Sequence, residues 1–283
     1  MMKQPLILRL KMCPQKNVKC LVDCSPLTPN KLAKLSISEI LVLKIAQGNV
    51  TKTVGELFEV SGEDTQNIIF ENTGNHAVDL IKIGANMTTG NITIHGNAGA
   101  YCGIGLQGGS IHCHGNTADF AACNLTGGLL TIDGDTGDFL GGATAGLRKG
   151  MRGGTVIVKG SAGDRAGDQM RRGLILIEGN AGDYCGSRMI AGTIGVLGHV
   201  GKYAGFSMQR GTLLFAKKPT LQADLHASMQ NCGTHTLPFL SLMLKSFKQY
   251  SMLFSTLNLQ RVQRYVGDAA TNGNGEILIV TDS

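Results

Sequence analysis

The sequence predicts an all-β fold, a right-handed parallel β-helix (a solenoid) with about 19 residues per coil, a mixed α/β cap at its N-terminal end and a short helical cap at its C-terminal end. Three observations support this prediction. Glycine accounts for 40 of the 283 residues, and 32 of them lie between Gly84 and Gly211. These glycines recur at a fixed interval, and apolar residues alternate after each of them. Because 42% of the residues are hydrophobic, the glycines belong to a packed protein and do not indicate disorder.

The interval is 19 residues and is interrupted once, by a step of 26. The glycines that open each repeat are Gly90, Gly109, Gly128, Gly154, Gly173, Gly192 and Gly211. Apolar pairs such as Ile92/Ile94 and Ile175/Ile177 follow them, which is typical of a strand with one buried face. A single strand of about five residues cannot bury this face alone, so stacked parallel units must share one core. The longer step predicts a seven-residue insertion near 142–150.

Stacking turns every repeat position into a column of side chains. One column is aromatic apart from one arginine, which can stack on its neighbours as a cation–π partner: Tyr101, Phe120, Phe139, Arg165, Tyr184 and Tyr203. Another column holds methionine three residues before most repeat glycines, as at Met170 and Met189. We expect both columns to lie inside the solenoid.

Glycine also recurs in the turn that follows each strand. A positive φ or a close backbone approach would require glycine there. The turn glycines predicted to be structural are Gly96, Gly134, Gly160, Gly179 and Gly198.

The two ends of the chain depart from the period. Residues 1–65 are predicted to form the N-terminal cap, and 66–216 the repeats, of which 66–89 are a degenerate first unit. Residues 217–283 are predicted to hold a helix and a final strand. After Pro238, the spacing of apolar residues predicts a short amphipathic helix whose buried face comprises Phe239, Leu242, Met243, Ser246 and Phe247. Such ends would cover the exposed edges of a solenoid.

Composition excludes several functional classes. No apolar run reaches the roughly 18 residues of a membrane helix and no signal peptide is visible, so we expect a cytoplasmic protein without a membrane partner. The eight cysteines contain no Cys-x-x-Cys pair, which favours reduced, buried thiols. The net charge of +6 comes without a nucleic-acid motif, so no nucleic-acid partner is predicted.

Four aspartates occupy one repeat position: Asp119, Asp138, Asp164 and Asp183. Polysaccharide-cleaving β-helix enzymes place acids on a solenoid face, so a stand-alone lyase or hydrolase is an alternative function. A feature repeated on four units is better explained as scaffold, with each aspartate capping its own turn through an Asx bond. We therefore predict no catalytic residue.

Histidines and one aspartate gather on neighbouring units. His95 and His114 share a column, Asp133 is the next residue along it, and His112 lies on the same strand face as His114. These four residues are candidates for a divalent metal at the surface, although no Cys or His spacing predicts a closed metal site.

Charge is distributed unevenly along the repeats. From residue 90 to 147 there are four acids and no Lys or Arg, whereas from 148 to 211 there are ten basic residues and four acids. A solubilising surface and a binding surface for an anionic ligand or acidic protein both fit this pattern. The predicted basic edge consists of Arg148, Lys149, Arg152, Arg171, Arg172, Arg188 and Arg210.

The repeat, best seen in GLILIEGNAGDYCGSRMIA, resembles the GXGXG domain of the glutamate synthase large subunit and of the C subunit of formylmethanofuran dehydrogenase. The segments GELFEVSG, LRKGMRGGTVIVKG, RVQRYVGD and GNGEILI look like the dehydrogenase protein, so this resemblance covers nearly the whole chain. A glutamate synthase-like structural domain remains an alternative, but the amidotransferase and flavin domains of that enzyme are missing here.

The resemblance implies a β-helical subunit without an active site, within a complex of one-carbon metabolism. In one setting the complex is a tungsten or molybdenum formylmethanofuran dehydrogenase. In the other, bacterial, setting a formyltransferase subunit and a zinc amidohydrolase-like subunit pass a formyl group between tetrahydromethanopterin and a methanofuran-type carrier and release formate. The implied metals lie on partner subunits, and no cofactor is expected on this chain alone. The carrier ends in a glutamate-rich tail, so we expect the basic edge to contact that tail or an acidic partner.

Overall fold

The computed structural model describes residues 3–11, 20–72, 78–217, 228–257 and 261–281. Parts of all three predicted segments, including residues 73–77 of the degenerate first repeat, lie outside these ranges. The elements before the regular repeats are β1 (Pro5–Leu10), β2 (Cys20–Asp23), α1 (Pro29–Leu32), α2 (Ile37–Val42), β3 (Lys44–Gln47), β4 (Val50–Thr53), α3 (Val54–Leu57), β5 (Phe58–Ser61), β6 (Asp64–Asn72) and β7 (Val78–Ile81).

The repeats contribute one short strand each. These strands are β8 (Asn91–Gly96), β9 (Ser110–Cys113), β10 (Leu129–Ile132), β11 (Arg152–Val158), β12 (Arg172–Ile177), β13 (Thr193–Val196) and β14 (Thr212–Phe215). The remaining elements are β15 (Gln230–His235), α4 (Phe239–Phe247), α5 (Met252–Ser255), β16 (Val262–Gly267), a 3-10 helix (Ala269–Thr271) and β17 (Gly275–Val280). Within the described ranges no helix is long and apolar enough to cross a bilayer.

Thirteen of these strands form one large sheet across the described parts of the chain, in the order β15-β16-β17-β14-β13-β12-β11-β10-β9-β8-β6-β1-β5. The repeat strands pair in parallel with a register that follows the sequence period, as in Ile92 with Ile111. Across the insertion the register shift is 26 residues, from Leu130 to Val156. The prediction of a mostly β protein with parallel stacked repeats is therefore confirmed at this level.

A second ladder runs parallel to the sheet. It consists of isolated parallel bridges that link one residue per repeat: Ala98, Thr117, Thr136, Ala162, Ala181 and Val200. The inward apolar side chains of the strands form one buried cluster with Ala98, Ala162, Ala181 and Val200 of this ladder. The methionines belong to the same cluster and are fully buried, as predicted: Met87, Met151, Met170, Met189 and Met208.

The aromatic column is not internal, contrary to the prediction. Its rings stack as expected, with Phe120 and Phe139 4.9 Å apart and the Arg165 guanidinium 4.6 Å from the Tyr184 ring centroid. The residues are nevertheless half-buried, and Tyr203 is 42% exposed. All six residues of this column have a φ close to +60°, which turns their side chains away from the core.

The turn glycines work by close backbone approach, and the positive φ that we considered is absent at four of the five. Gly96 has a φ of +110°, but Gly134, Gly160, Gly179 and Gly198 do not adopt the left-handed region. At Gly179 a Cβ atom would lie 2.5 Å from the carbonyl oxygen of Gly160 in the preceding repeat. Glycine is needed because consecutive turns stack in backbone contact.

Helices α4 and α5 cover part of the outer face of the sheet. Phe254 and Phe247 pack on Ile157, Leu176 and Leu214, which point away from the inner core. The predicted helix is present, but its buried residues are Leu240, Leu244 and Phe247, whereas Phe239 and Leu242 are 45% and 67% exposed. The predicted face was therefore correct only in part: Phe247 is buried and Met243 packs on the same cluster, whereas the position of the outer sheet face buries Leu240 and Leu244 in place of Phe239 and Leu242.

Candidate functional site

The insertion near 142–150 leaves the repeat and returns to it at one point. The Met151 N–H donates to the Gly141 carbonyl at 2.8 Å, and Gly150 N–H donates to Gln169 O at 3.0 Å in the next repeat. These bonds close the base of the excursion and allow Met151 to rejoin the methionine column. Arg148 and Lys149 are exposed near the end of this excursion, as the sequence predicted.

The strands that follow bring further basic residues to the same side. Arg152 and Arg172 begin β11 and β12, are exposed, and pair with each other in the register of the sheet. Arg210 is exposed and stands two residues after the methionine of its own repeat, the position that Arg172 also has. Arg171 is half-buried, and its Nε atom is buried without a hydrogen-bond partner.

Arg188 differs from the other members of the predicted basic edge. Its Nε donates to Asp168 Oδ1 at 2.9 Å, and a terminal nitrogen donates to Asp168 Oδ2. These bonds raise the pKa of Arg188 above its ordinary value. The side-chain amide of Gln169 can be oriented so that both its oxygen and its nitrogen form hydrogen bonds. The oxygen then accepts from the Arg188 guanidinium at 3.3 Å, and the nitrogen donates to the Arg148 carbonyl oxygen at 3.0 Å. Arg188 therefore has a structural role that connects the insertion to the repeats.

A cleft of about 580 Å³ lies beside Arg152 of the basic edge, and the residue pattern did not predict it. Its lining includes Ser25, Lys82, Asn86, Gln107, Asn124 and Arg152. Apolar residues such as Ile104 share this lining with the polar ones, and Lys82 is paired with the Asp23 carboxylate at 2.6 Å. Arg152 and the amide groups of Asn86 and Gln107 are the donors that suit a carboxylate-bearing ligand. The sequence carried one signal for this cleft, because three of its lining residues, Asn86, Gly105 and Asn124, recur at 19-residue spacing. Asn and Gly readily adopt a left-handed φ, and all three residues have one.

The candidate metal residues gather on the outer face of β9 and the residues following β10. His112 Nε2 and His114 Nδ1 lie 3.0 and 2.8 Å from Asp133 Oδ2, and Lys159 Nζ lies 2.7 Å from Oδ1. His95 does not join them but stacks on His114, with ring centroids 5.1 Å apart. Partial burial alone would raise the pKa of Asp133, but the bonds from Lys159 and both histidines outweigh this and hold that pKa well below its usual value.

The aspartate column forms a ladder between repeats. Asp119 Oδ1 accepts from the Asp138 N–H at 2.9 Å, and Asp138 Oδ1 in turn accepts from the Asp164 N–H at 2.8 Å. The same bond continues from Asp183 to the Lys202 N–H. The structural interpretation is supported, but the bonded amide belongs to the next repeat and not to the aspartate's own turn. This engagement argues against the polysaccharide lyase alternative.

Solved structures include one relative that matches nearly the whole chain. It is a chain of the formyltransferase/hydrolase complex (FhcABCD) from Methylorubrum extorquens in complex with methylofuran, 35% identical to this protein. The match covers 98% of this chain and 100% of that chain, with a TM-score of 0.85. The chain is also similar to curated relatives. The C subunit of tungsten-containing formylmethanofuran dehydrogenase 2 from Methanococcus maripaludis is 33% identical to it over 100 residues. This chain belongs to the family of formylmethanofuran dehydrogenase C subunits.

The curated members of this family align over a limited stretch. The corresponding protein of Methanothermobacter wolfeii is 34% identical over 94 residues, which is 32% of this chain and 35% of that relative. The chain thus spans about a third of the length of the curated relatives that it matches. No family model matches the sequence.

Proposed function

We propose that this chain is the C subunit of a complex that processes a formylated, methanofuran-type carrier, and that it acts there as a scaffold without a catalytic centre of its own. The observation that carries the proposal is the end-to-end similarity to a chain of the formyltransferase/hydrolase complex, at 35% identity and a TM-score of 0.85. Similarity along the whole length supports a shared place in the assembly better than a shared motif would.

The scaffold role suits the architecture that we propose for the repeats, a right-handed parallel β-helix over 66–216 with caps over 1–65 and 217–283. Its support is the parallel 19-residue register of the sheet together with the second ladder from Ala98 to Val200. Parallel crossovers between strands of one sheet are almost always right-handed. A stack of this kind is rigid, because each unit is held by backbone bonds to both neighbours.

The partners in this proposal are a formyltransferase subunit and an amidohydrolase-like subunit, in the cytoplasm. The zinc of that setting would belong to the partner. The dehydrogenase setting, with tungsten or molybdenum on another subunit, is the second candidate, supported by the names of the curated relatives. The formyltransferase/hydrolase setting is favoured because its match covers the whole chain and not a third of it.

The basic edge would then contact an acidic segment, either the glutamate-rich tail of the carrier or an acidic surface of a partner. Arg148, Lys149, Arg152, Arg172 and Arg210 are exposed and available for this role. Arg188 is removed from the set, because its guanidinium is committed to the Asp168 carboxylate. The cleft beside Arg152 extends the surface with neutral hydrogen-bond donors, the amide groups of Asn86 and Gln107, which suit carboxylates.

Purification of the full chain from its source organism tests the proposed assembly. An affinity-tagged chain should bring down stoichiometric partner subunits that transfer a formyl group from formyltetrahydromethanopterin to the carrier. Recovery of the chain alone, with no formyltransferase activity in the purified fraction, would refute the proposed place in a complex.

Charge reversal tests the basic edge within that complex. Arg148→Glu, Arg152→Glu and Arg172→Glu together should weaken assembly or carrier turnover at least several-fold at low salt, with a smaller difference at high salt. Arg171 is left unchanged because its buried Nε would complicate the result. The matched control is Lys34→Glu, Lys202→Glu and Lys217→Glu, three exposed lysines off the edge that give the same change in net charge. Equal effects of both sets would contradict a role for the edge.

A further inference from the structure

We propose that His112, His114 and Asp133 form a binding site for a divalent transition-metal ion of the Zn²⁺ type on the outer face of the sheet. The inference does not depend on the proposed function, because it rests on side-chain geometry within this chain. It concerns the outer side of β9 and β10, whose alternate residues point away from the inner core.

The sheet places these three side chains together. His112 and His114 are two residues apart in and just after β9, so both point to the same face. Parallel pairing sets Thr131 beside His112, and the Asp133 N–H donates to the Cys113 carbonyl at 2.9 Å. Asp133 therefore stands beside His114, and its Oδ2 atom faces an imidazole nitrogen of each histidine at 3.0 and 2.8 Å.

These atoms are a suitable donor set for Zn²⁺. Imidazole nitrogens are borderline donors that suit zinc and its neighbours in the first transition series, and zinc also accepts a carboxylate oxygen as a ligand. The three ligand atoms lie within 4.8 Å of one another. Zinc–ligand bonds of about 2.0–2.2 Å require the ligand atoms to lie roughly 3–3.5 Å from one another. Rotation of the imidazole rings that moves a ligand nitrogen by about 1 Å would bring the three atoms to these separations. Both rings are about 40% exposed and therefore have room to rotate.

The remaining neighbours define the site further. Lys159 occupies Oδ1 of Asp133, which leaves Oδ2 for the metal. The ammonium group is a cation beside a cation site, so it should lower the affinity without blocking it. His95 stacks on His114 nearly in parallel, at an interplanar angle of 5°, and would hold that ring in place without binding the ion. Three protein ligands leave at least one coordination position open to water.

Metal titration of the purified full chain tests the site. The exposed or half-buried thiols must first be removed, so the background carries Cys20→Ser and Cys232→Ser, together with Cys13→Ser, which lies outside the described residues. Zn²⁺ is titrated calorimetrically, and Co²⁺ by its visible absorption. We expect one ion per chain and a rise in melting temperature with Zn²⁺. His112→Ala, His114→Ala and Asp133→Asn should each weaken binding at least tenfold.

Two further variants keep the result decisive. His199→Ala removes an exposed histidine elsewhere on the repeats and should leave the affinity unchanged. Lys159→Met removes the competing cation and should strengthen Zn²⁺ binding several-fold, which surface adsorption would not do. The proposal is overturned if His112→Ala and His114→Ala bind Zn²⁺ as the background does, or if Lys159→Met and the background both bind it only at millimolar concentration.

Discussion

Arg188 makes a two-point ion pair with Asp168, whose carboxylate is almost completely buried. Asp168 is 1% exposed, while the Arg188 side chain remains 46% exposed. Ser187 Oγ donates to the same carboxylate at 2.7 Å. A carboxylate at this depth needs such partners, because an unpaired buried charge is strongly destabilising. The pair therefore joins neighbouring repeats at the point where the insertion returns.

Arg188→Met should lower the free energy of unfolding by about 1–3 kcal/mol, since it leaves the Asp168 carboxylate without its guanidinium partner. Urea titration provides the measurement. Arg172→Met is the matched control, because Arg172 is exposed at the start of β12 and its loss should change stability by less than about 0.5 kcal/mol. The double variant Arg188→Met with Asp168→Asn should recover part of the loss. Equal effects of the two single variants would contradict the pairing.

Gly179→Ala should destabilise the repeats through a steric clash, not through backbone strain. The added methyl group would lie 2.5 Å from the Gly160 carbonyl oxygen and 2.6 Å from its carbon, so the stacked turns must separate at a cost of about 1–3 kcal/mol.

Gly146→Ala provides the contrast for this prediction. Gly146 has a φ of +83°, and no atom lies within 4 Å of the position that an alanine methyl group would take, so alanine there meets backbone strain without a clash. Its cost should be about 1 kcal/mol. Melting temperatures of both variants give the comparison, and a smaller loss for Gly179→Ala than for Gly146→Ala would refute the close-approach explanation.

The buried thiols should be inert at alkaline pH. Burial raises the pKa of Cys185 to about 12, and burial likewise raises that of Cys123 to about 12. Since the thiolate is the reactive form, iodoacetamide at pH 8 should label the half-buried Cys20 and Cys232 in the native protein long before Cys185. Peptide mass spectrometry measures the labelling, and comparable rates at Cys185 and Cys232 would contradict it.

The same pKa difference makes stability depend on pH. In the unfolded chain these thiols ionise near pH 8.5, whereas in the folded protein they stay protonated up to about pH 12. The unfolded state then binds fewer protons than the folded state, so the free energy of unfolding should fall as pH rises above about 8.5. Denaturation at pH 8 and pH 10 checks the sign, and Cys185→Ala should reduce the slope.

Much of the fold followed from the period. A 19-residue repeat of alternating apolar residues can satisfy its backbone and bury its side chains by parallel stacking, and Ile92 pairs with Ile111 as that period requires. One signal was present but not used: the outward residue of the strand changes from Thr93 and Thr131 to Ile157 and Leu176. That change marks where α4 and α5 cover the sheet.

The candidate site was less accessible to sequence reasoning. Arg152 and Arg172 were expected on one side because both lie within two residues of the methionine column, and they are exposed and pair in the register of the sheet. Arg188 also lies within two residues of that column, yet it is bound to Asp168, and a charge count cannot distinguish a paired guanidinium from a free one. The cleft beside Arg152 also depends on Lys82, which reaches it from outside the regular repeats.

Periodicity along the chain was thus enough to establish the parallel stack, its register and its buried methionines, because these are consequences of local spacing repeated many times. Tertiary packing decided the rest. The left-handed backbone at Phe120 and Phe139 turned the aromatic column outward, and the outer sheet face selected Leu240 and Leu244 as the buried side of α4. Asp168 and Arg188, which lie in neighbouring repeats, form an ion pair. Each of these outcomes depends on the direction of a side chain relative to a neighbour distant in sequence, which residue spacing does not specify.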